Sequence, residues 1–140
     1  MKAPAVQWWP EPDAGDIVWC QFPHLPQLVP GPKPRPALVL DVTETTIGSI
    51  RVTVAYGTSK KLSPLRAGEF VISRSDGSAF KLAGLGFDTK FSLRDSVQLD
   101  FNSDWFKPPP IAPFGQSPKL GLLHPALATR AAAAWKAANQ

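Results

Sequence analysis

The chain is poor in the residues that staple or metallate a protein. It has a single cysteine, Cys20, so no disulfide can form within it. A reducing compartment is therefore permitted, and the cytoplasm is the expected location. Its two histidines, His24 and His124, lie far apart with no cysteine or carboxylate cluster beside them. That pattern fits no zinc motif, and no metal or other cofactor is expected. Glycine loops of phosphate-binding spacing are also lacking, and Gly84-Leu85-Gly86 reads as a turn. No apolar run approaches the ~20 residues of a membrane helix. Residues 1–7 lack the apolar stretch of a signal peptide, so a soluble protein without membrane contact is expected. Strands and helices do not alternate, which excludes a doubly wound α/β fold.

Proline and glycine, by contrast, are plentiful at 16 and 10. They cluster between apolar runs, the pattern of short strands joined by rigid turns. The length of 140 residues and a 44% hydrophobic content suit one domain with one core. Residues 1–14 read as an irregular arm, whose Trp8 and Trp9 would pack on the body or on a partner. Gly15-Asp16 opens a β-prone strand over 17–22. A proline-rich loop over 23–34 follows, and loops of this length are functional or mobile. In the next strand, 36–42, the run Ala37-Leu38-Val39-Leu40 is expected to be buried on both faces. Over 50–56, Ile50, Val52, Val54 and Tyr56 alternate with Arg51, Thr53 and Ala55. One face of that strand should meet the core and the other solvent or ligand.

Gly57 is expected to end the third strand. A strand over 69–72, a turn at Asp76-Gly77 and a returning strand over 79–82 suggest a hairpin. Another strand falls within 91–101. Residues 103–121 read as irregular. Residues 125–138 read as a helix with Leu127, Ala131, Ala134 and Ala138 on one face and Trp135 as an anchor to the barrel. The expected fold is mainly β: a small barrel over 15–102, with the 103–140 segment and its C-terminal α-helix packed on the same domain.

The net charge is only +4. Its distribution is less even. Lys33, Arg35, Arg51, Lys60, Lys61 and Arg66 are set against only Asp41 and Glu44. A polyanion is drawn to such a surface through phosphate contacts and counterion release. A merely solvated basic face gives the same pattern.

Two local patterns stand out. In Lys33-Pro34-Arg35-Pro36 the prolines restrict the backbone and fix where the guanidinium starts. In Gly57-Thr58-Ser59-Lys60 the hydroxyls either satisfy their own loop or face a ligand. Arginine and threonine on a basic surface suit chemistry on RNA, whose 2′-OH is a built-in nucleophile beside each phosphate. A guanidinium can hold two phosphate oxygens while a hydroxyl donates a further hydrogen bond, and no metal is strictly required.

At these residues the sequence resembles the MazF/PemK family of toxins from bacterial toxin–antitoxin systems. Three segments carry the resemblance: Gly15-Asp16-Ile17-Val18-Trp19, Arg35-Pro36-Ala37-Leu38-Val39-Leu40, and Val54-Ala55-Tyr56-Gly57-Thr58-Ser59-Lys60. Their order and spacing agree with the family pattern over roughly residues 15–61. The resemblance implies an SH3-like barrel, usually a homodimer, that binds single-stranded RNA in a groove near the dimer interface. It implies a metal-independent endoribonuclease, or mRNA interferase, that inhibits growth and is neutralised by a cognate antitoxin protein. It maps the catalytic pair onto Arg35 and Thr58, with Ser59 in support. Lys33, Ser59, Lys60 and Lys61 are the expected RNA-binding residues. The chain departs from the family in its first loop, in Lys60 where glutamine is frequent, and in the added residues 103–140.

Two other readings compete. One is a non-catalytic SH3-like module that binds nucleic acid or protein, since fold alone does not settle function. In the other, residues 103–140 occupy the groove themselves or extend a dimer.

Overall fold

The β-branched and aromatic runs pair into one antiparallel sheet. The structure, a computed structural model, describes residues 9–24, 26–45 and 48–139. Its strands are β1 (Asp16–Cys20), β2 (Arg35–Glu44), β3 (Ile50–Thr58), β4 (Glu69–Ile72), β5 (Thr89–Asp100) and β6 (Lys119–Leu122). They hydrogen-bond in the order β4-β5-β3-β2-β1-β6. Two helices complete the fold, α1 (Ser78–Ala83) and the C-terminal α2 (Ala128–Ala138). Register breaks bend the sheet into a curled half-barrel. The larger break lies in β5, where residues 93–95 fall between the pairs Tyr56↔Ser92 and Ala55↔Ser96.

Alternate residues of a strand point to opposite faces, and each face here has its own apolar layer. On one face Ile17, Leu38, Ala55, Phe70 and Phe91 pack with Ala79 and Ala83 of α1 and Ala134 of α2. The Phe70 and Phe91 rings stack with centroids 5.7 Å apart. Burial of one such side chain is worth about 2 kcal/mol. On the other face Val18, Cys20, Ala37, Val39, Val54 and Leu99 pack with Phe22 and Phe106. Ala37, Leu38 and Val39 are therefore buried on both sides, as their unbroken apolar run implies.

Four expectations change. Residues 79–82 are helical, not a returning strand. Ala79 and Ala83 sit four apart and are buried together, which is helical spacing, and Gly84 closes the helix in a left-handed conformation. Asp76-Gly77 is thus the end of a 3-10 turn, Arg74–Asp76, in which the Ser73 N–H donates to the Asp76 carboxylate at 2.8 Å. Within the irregular-looking 103–121 segment lies the start of β6, which pairs with β1 and belongs to the sheet. β3 does not stop before Gly57 but runs through it to Thr58. Trp135 is 51% exposed and anchors nothing in the core. α2 is held instead by Ala134 and by Arg130, whose two terminal nitrogens donate to the Asp76 carboxylate at 3.0 and 3.1 Å. The apolar face read over Leu127, Ala131, Ala134 and Ala138 does pack on the sheet.

In the arm, Trp9 meets Phe101 edge-on with ring centroids 5.4 Å apart, and Trp8 lies outside the described residues. Among the described residues no helix is long and apolar enough to cross a membrane.

Candidate functional site

The site is built by the pairing of β2 with β3. Ala37 lies opposite Tyr56. The same register carried two residues further sets Arg35 opposite Thr58, and residues directly opposite share a face. Pro36 and Gly57 lie between these pairs. A Cβ at Gly57 would fall 2.3 Å from the Pro36 carbonyl oxygen and 2.9 Å from the Phe91 ring. Glycine is what lets the two strands approach here. Across the sheet, Thr58 is paired with Lys90, Tyr56 with Ser92, and Ser92 with Glu69. These side chains and Arg35 line an open groove of about 300 Å³, rimmed by Lys60, Lys61 and Asp95.

Arg35 is positioned by an aromatic floor. Its guanidinium carbon lies 5.7 Å from the centroid of the Tyr56 ring. Tyr56 is itself braced edge-on by Phe22, with centroids 5.2 Å apart. A guanidinium stacked on a ring keeps its N–H donors free in its own plane. The long loop that delivers Arg35 is closed at its base, where the Gly31 N–H donates to the Gln21 carbonyl at 3.1 Å.

Thr58 is 9% exposed, and its hydroxyl oxygen accepts from the Lys60 backbone N–H at 3.1 Å. With that oxygen engaged, the hydroxyl proton is available to an acceptor in the groove.

The groove's charge is mainly positive. Arg35, Lys60, Lys61 and Lys90 line it with two carboxylates, Glu69 and Asp95. Lys90 is engaged: its Nζ lies 3.6 Å from Glu69 Oε2 and donates to the Lys61 carbonyl at 2.7 Å. Among the described residues Arg35, Lys60, Lys61 and Asp95 form no ion pair. A phosphate entering here meets uncommitted cations.

Two other hollows open on Arg35. A small one of about 220 Å³ is lined by Phe22, His24, Arg35, Tyr56 and Asp95. The larger, about 640 Å³, is lined by Arg35, Thr58 and Ser59 together with Trp19, Phe87 and Ile111.

The structure thus brings Arg35 and Thr58 together and sets Ser59, Lys60 and Lys61 around them. Lys33 is exposed and lines none of the three hollows. Arg51 belongs to the far end of β3, where it pairs with Asp100 at 3.1 Å. Pro109, Pro110 and Ile111 of the C-terminal segment wall the larger cavity.

Sequence reasoning missed Lys90, Asp95, Trp19 and Phe87 as site residues. Tyr56 could have been found, because it sits two residues before Thr58 on the same strand face. Lys90 and Asp95 depend on the register of β5, for which the sequence carries no local signal.

Cys20 is buried in the sheet, and burial pushes its thiol up to about 12, so it is a core residue and not a nucleophile. Among the described residues no group of three His, Cys, Asp or Glu side chains is placed to hold a metal.

No protein-family model matches the chain, and no curated protein gives a significant match to it.

Proposed function

We propose that this chain is an endoribonuclease of the MazF/PemK toxin type, built on an SH3-like barrel, that cuts single-stranded RNA through the RNA's own 2′-OH. The observation that carries this reading is the adjacency of Arg35 and Thr58 on neighbouring strands, lining one open, mainly cationic groove. The resemblance at 15–61 points to the same two residues.

In this reading the 2′-oxygen attacks the adjacent phosphorus. A 2′-O–P bond forms and the P–O5′ bond breaks, leaving a cyclic phosphate and a 5′-hydroxyl. Arg35 donates to the non-bridging oxygens as their charge grows, and Thr58 donates one further hydrogen bond. Arg35 works as a clamp, because a guanidinium hardly gives up its proton. Asp95, which lines both the groove and the small hollow beside Arg35, is placed to take the 2′ proton. Lys60 and Lys61 hold flanking phosphates, with Lys33 on the approach and Ser59 beside Thr58. The RNA supplies its own nucleophile, so no metal is needed to generate one.

The same reading takes a homodimer as the working form, a separately encoded antitoxin as the partner, and the cytoplasm as the compartment. A binding module without turnover would use the same groove, and turnover separates the two. The test is incubation of folded protein with unstructured RNA in EDTA. Cutting that is lost in Arg35→Ala supports the nuclease. RNA left intact by folded wild type at high concentration rejects it.

A further inference from the structure

The larger cavity beside Arg35 is apolar where the groove is charged. Trp19 of β1 and Phe87 line it, with Leu85, Leu120 and Ile111. Phe87 is 67% exposed, yet its backbone is tied down. The Arg74 guanidinium donates to the Gly86 carbonyl at 2.8 Å, and the Arg74 backbone N–H donates to the Asp88 carboxylate at 2.8 Å. The same guanidinium lies 6.0 Å from the Phe87 ring centroid. The Thr89 hydroxyl donates to the Phe87 carbonyl at 2.8 Å.

Glycines seat this loop against β6. A Cβ at Gly84 would lie 1.9 Å from the Leu120 carbonyl oxygen, and one at Gly121 would lie 2.2 Å from that of Leu82. A phenylalanine held in place but left in water adds nothing to the core, and it presents a π-face to a ligand.

The cavity's polar edge narrows the choice of ligand. Arg35 and Thr58 stand there, and both also line the charged groove. An occupant that satisfies both sides is a flat, largely apolar body joined to an anion. The volume, about 640 Å³, is within the range of small-molecule sites.

We propose that this cavity is a nucleobase site, which takes the base of the nucleotide whose phosphate Arg35 and Thr58 hold. The proposal rests on the RNA reading of the groove and adds a base-reading pocket to it. The base stacks on the aromatic wall formed by Phe87 and Trp19. The Ser59 hydroxyl and the loop carbonyls are the polar groups within the cavity for the base edge. Such a pocket makes the protein prefer nucleic acid to other polyanions.

The test uses the full chain and two probes of equal length: a single-stranded RNA and an oligonucleotide carrying stable abasic sugars. Phe87→Ala is expected to weaken RNA binding about tenfold, the usual loss of one stacked base, and to leave the abasic strand unaffected. Phe87→Tyr should restore RNA binding, and Arg35→Ala should weaken both probes. Because Phe87 is solvent-exposed, its variants should fold, and their melting temperature verifies this. The proposal is overturned if Phe87→Ala binds RNA as well as wild type, or weakens both probes alike. Capture of a short apolar peptide by the cavity, with RNA affinity indifferent to Phe87, would make it a protein-docking site instead. RNA that is cut normally with no dependence on Phe87 removes the base site and leaves the nuclease. RNA that wild type neither binds nor cuts removes both.

Discussion

Gly57 passes the Pro36 carbonyl so closely that a Cβ on it would lie 2.3 Å from that oxygen. This approach joins the ends of β2 and β3 and thereby sets Arg35 beside Thr58. Gly57→Ala should push the strands apart, at a cost of about 1–3 kcal/mol. RNA affinity should fall with stability, read by urea titration and by oligonucleotide binding. A Gly57→Ala variant with wild-type stability and binding would show that the contact does not position the pair.

Arg35 and lysine are not equivalent here. The guanidinium can hold two phosphate oxygens while lying flat over Tyr56, and an ammonium can do neither. Arg35→Lys should therefore retain much of the salt-sensitive RNA binding while losing roughly 10²-fold or more in cutting rate. Equal rates for lysine and arginine would reduce the role to charge alone.

Thr58 is expected to act through its hydroxyl. Thr58→Ser should keep most activity. Thr58→Val, which preserves shape in this nearly buried position, should slow cutting by roughly 10²-fold with RNA affinity little changed. If valine and serine behave alike, the hydroxyl is a structural cap for the Lys60 N–H and nothing more.

The Arg130–Asp76 pair ties α2 to the 3-10 turn. The hydrogen bonds from Arg130 hold the Asp76 carboxyl below its usual 3.8. A carboxyl lowered in the folded state adds stability that is whole above the unfolded value. That stability is lost as pH falls below 3.8 and through the folded value. The pair is partly exposed, with Arg130 at 44%, so the effect is small, on the order of 0.5 kcal/mol. Arg130→Met should be less stable than wild type at neutral pH, and the gap should close near pH 2. A gap independent of pH would assign the loss to packing of the side chain.

Local pattern was enough to find most of the sheet. The alternation over Ile50 to Tyr56 and the apolar run Ala37-Leu38-Val39 each identify a strand and its faces without any knowledge of partners. α1 was misread because Ala79-Phe80-Lys81-Leu82 is short, and six residues give too few turns to tell helix from strand. β6 was missed because Lys119–Leu122 is four residues long within a Pro-rich stretch, and its pairing with β1 is a long-range contact. In the site, Arg35 and Thr58 are visible in sequence because proline and glycine flank them. Asp95 is not, because the extra residues of β5 that place it beside Arg35 are fixed by tertiary register.

The most direct measurement is end-group analysis of a single-stranded RNA cut in EDTA, alongside the same strand carrying one 2′-deoxy sugar at the cleavage position. The Arg35–Thr58 site predicts a cyclic phosphate and a 5′-hydroxyl from the first strand and no cut at the deoxy position in the second. Cleavage at the deoxy sugar, or 5′-phosphate ends, would mean that the 2′-oxygen is not the nucleophile and would contradict the account.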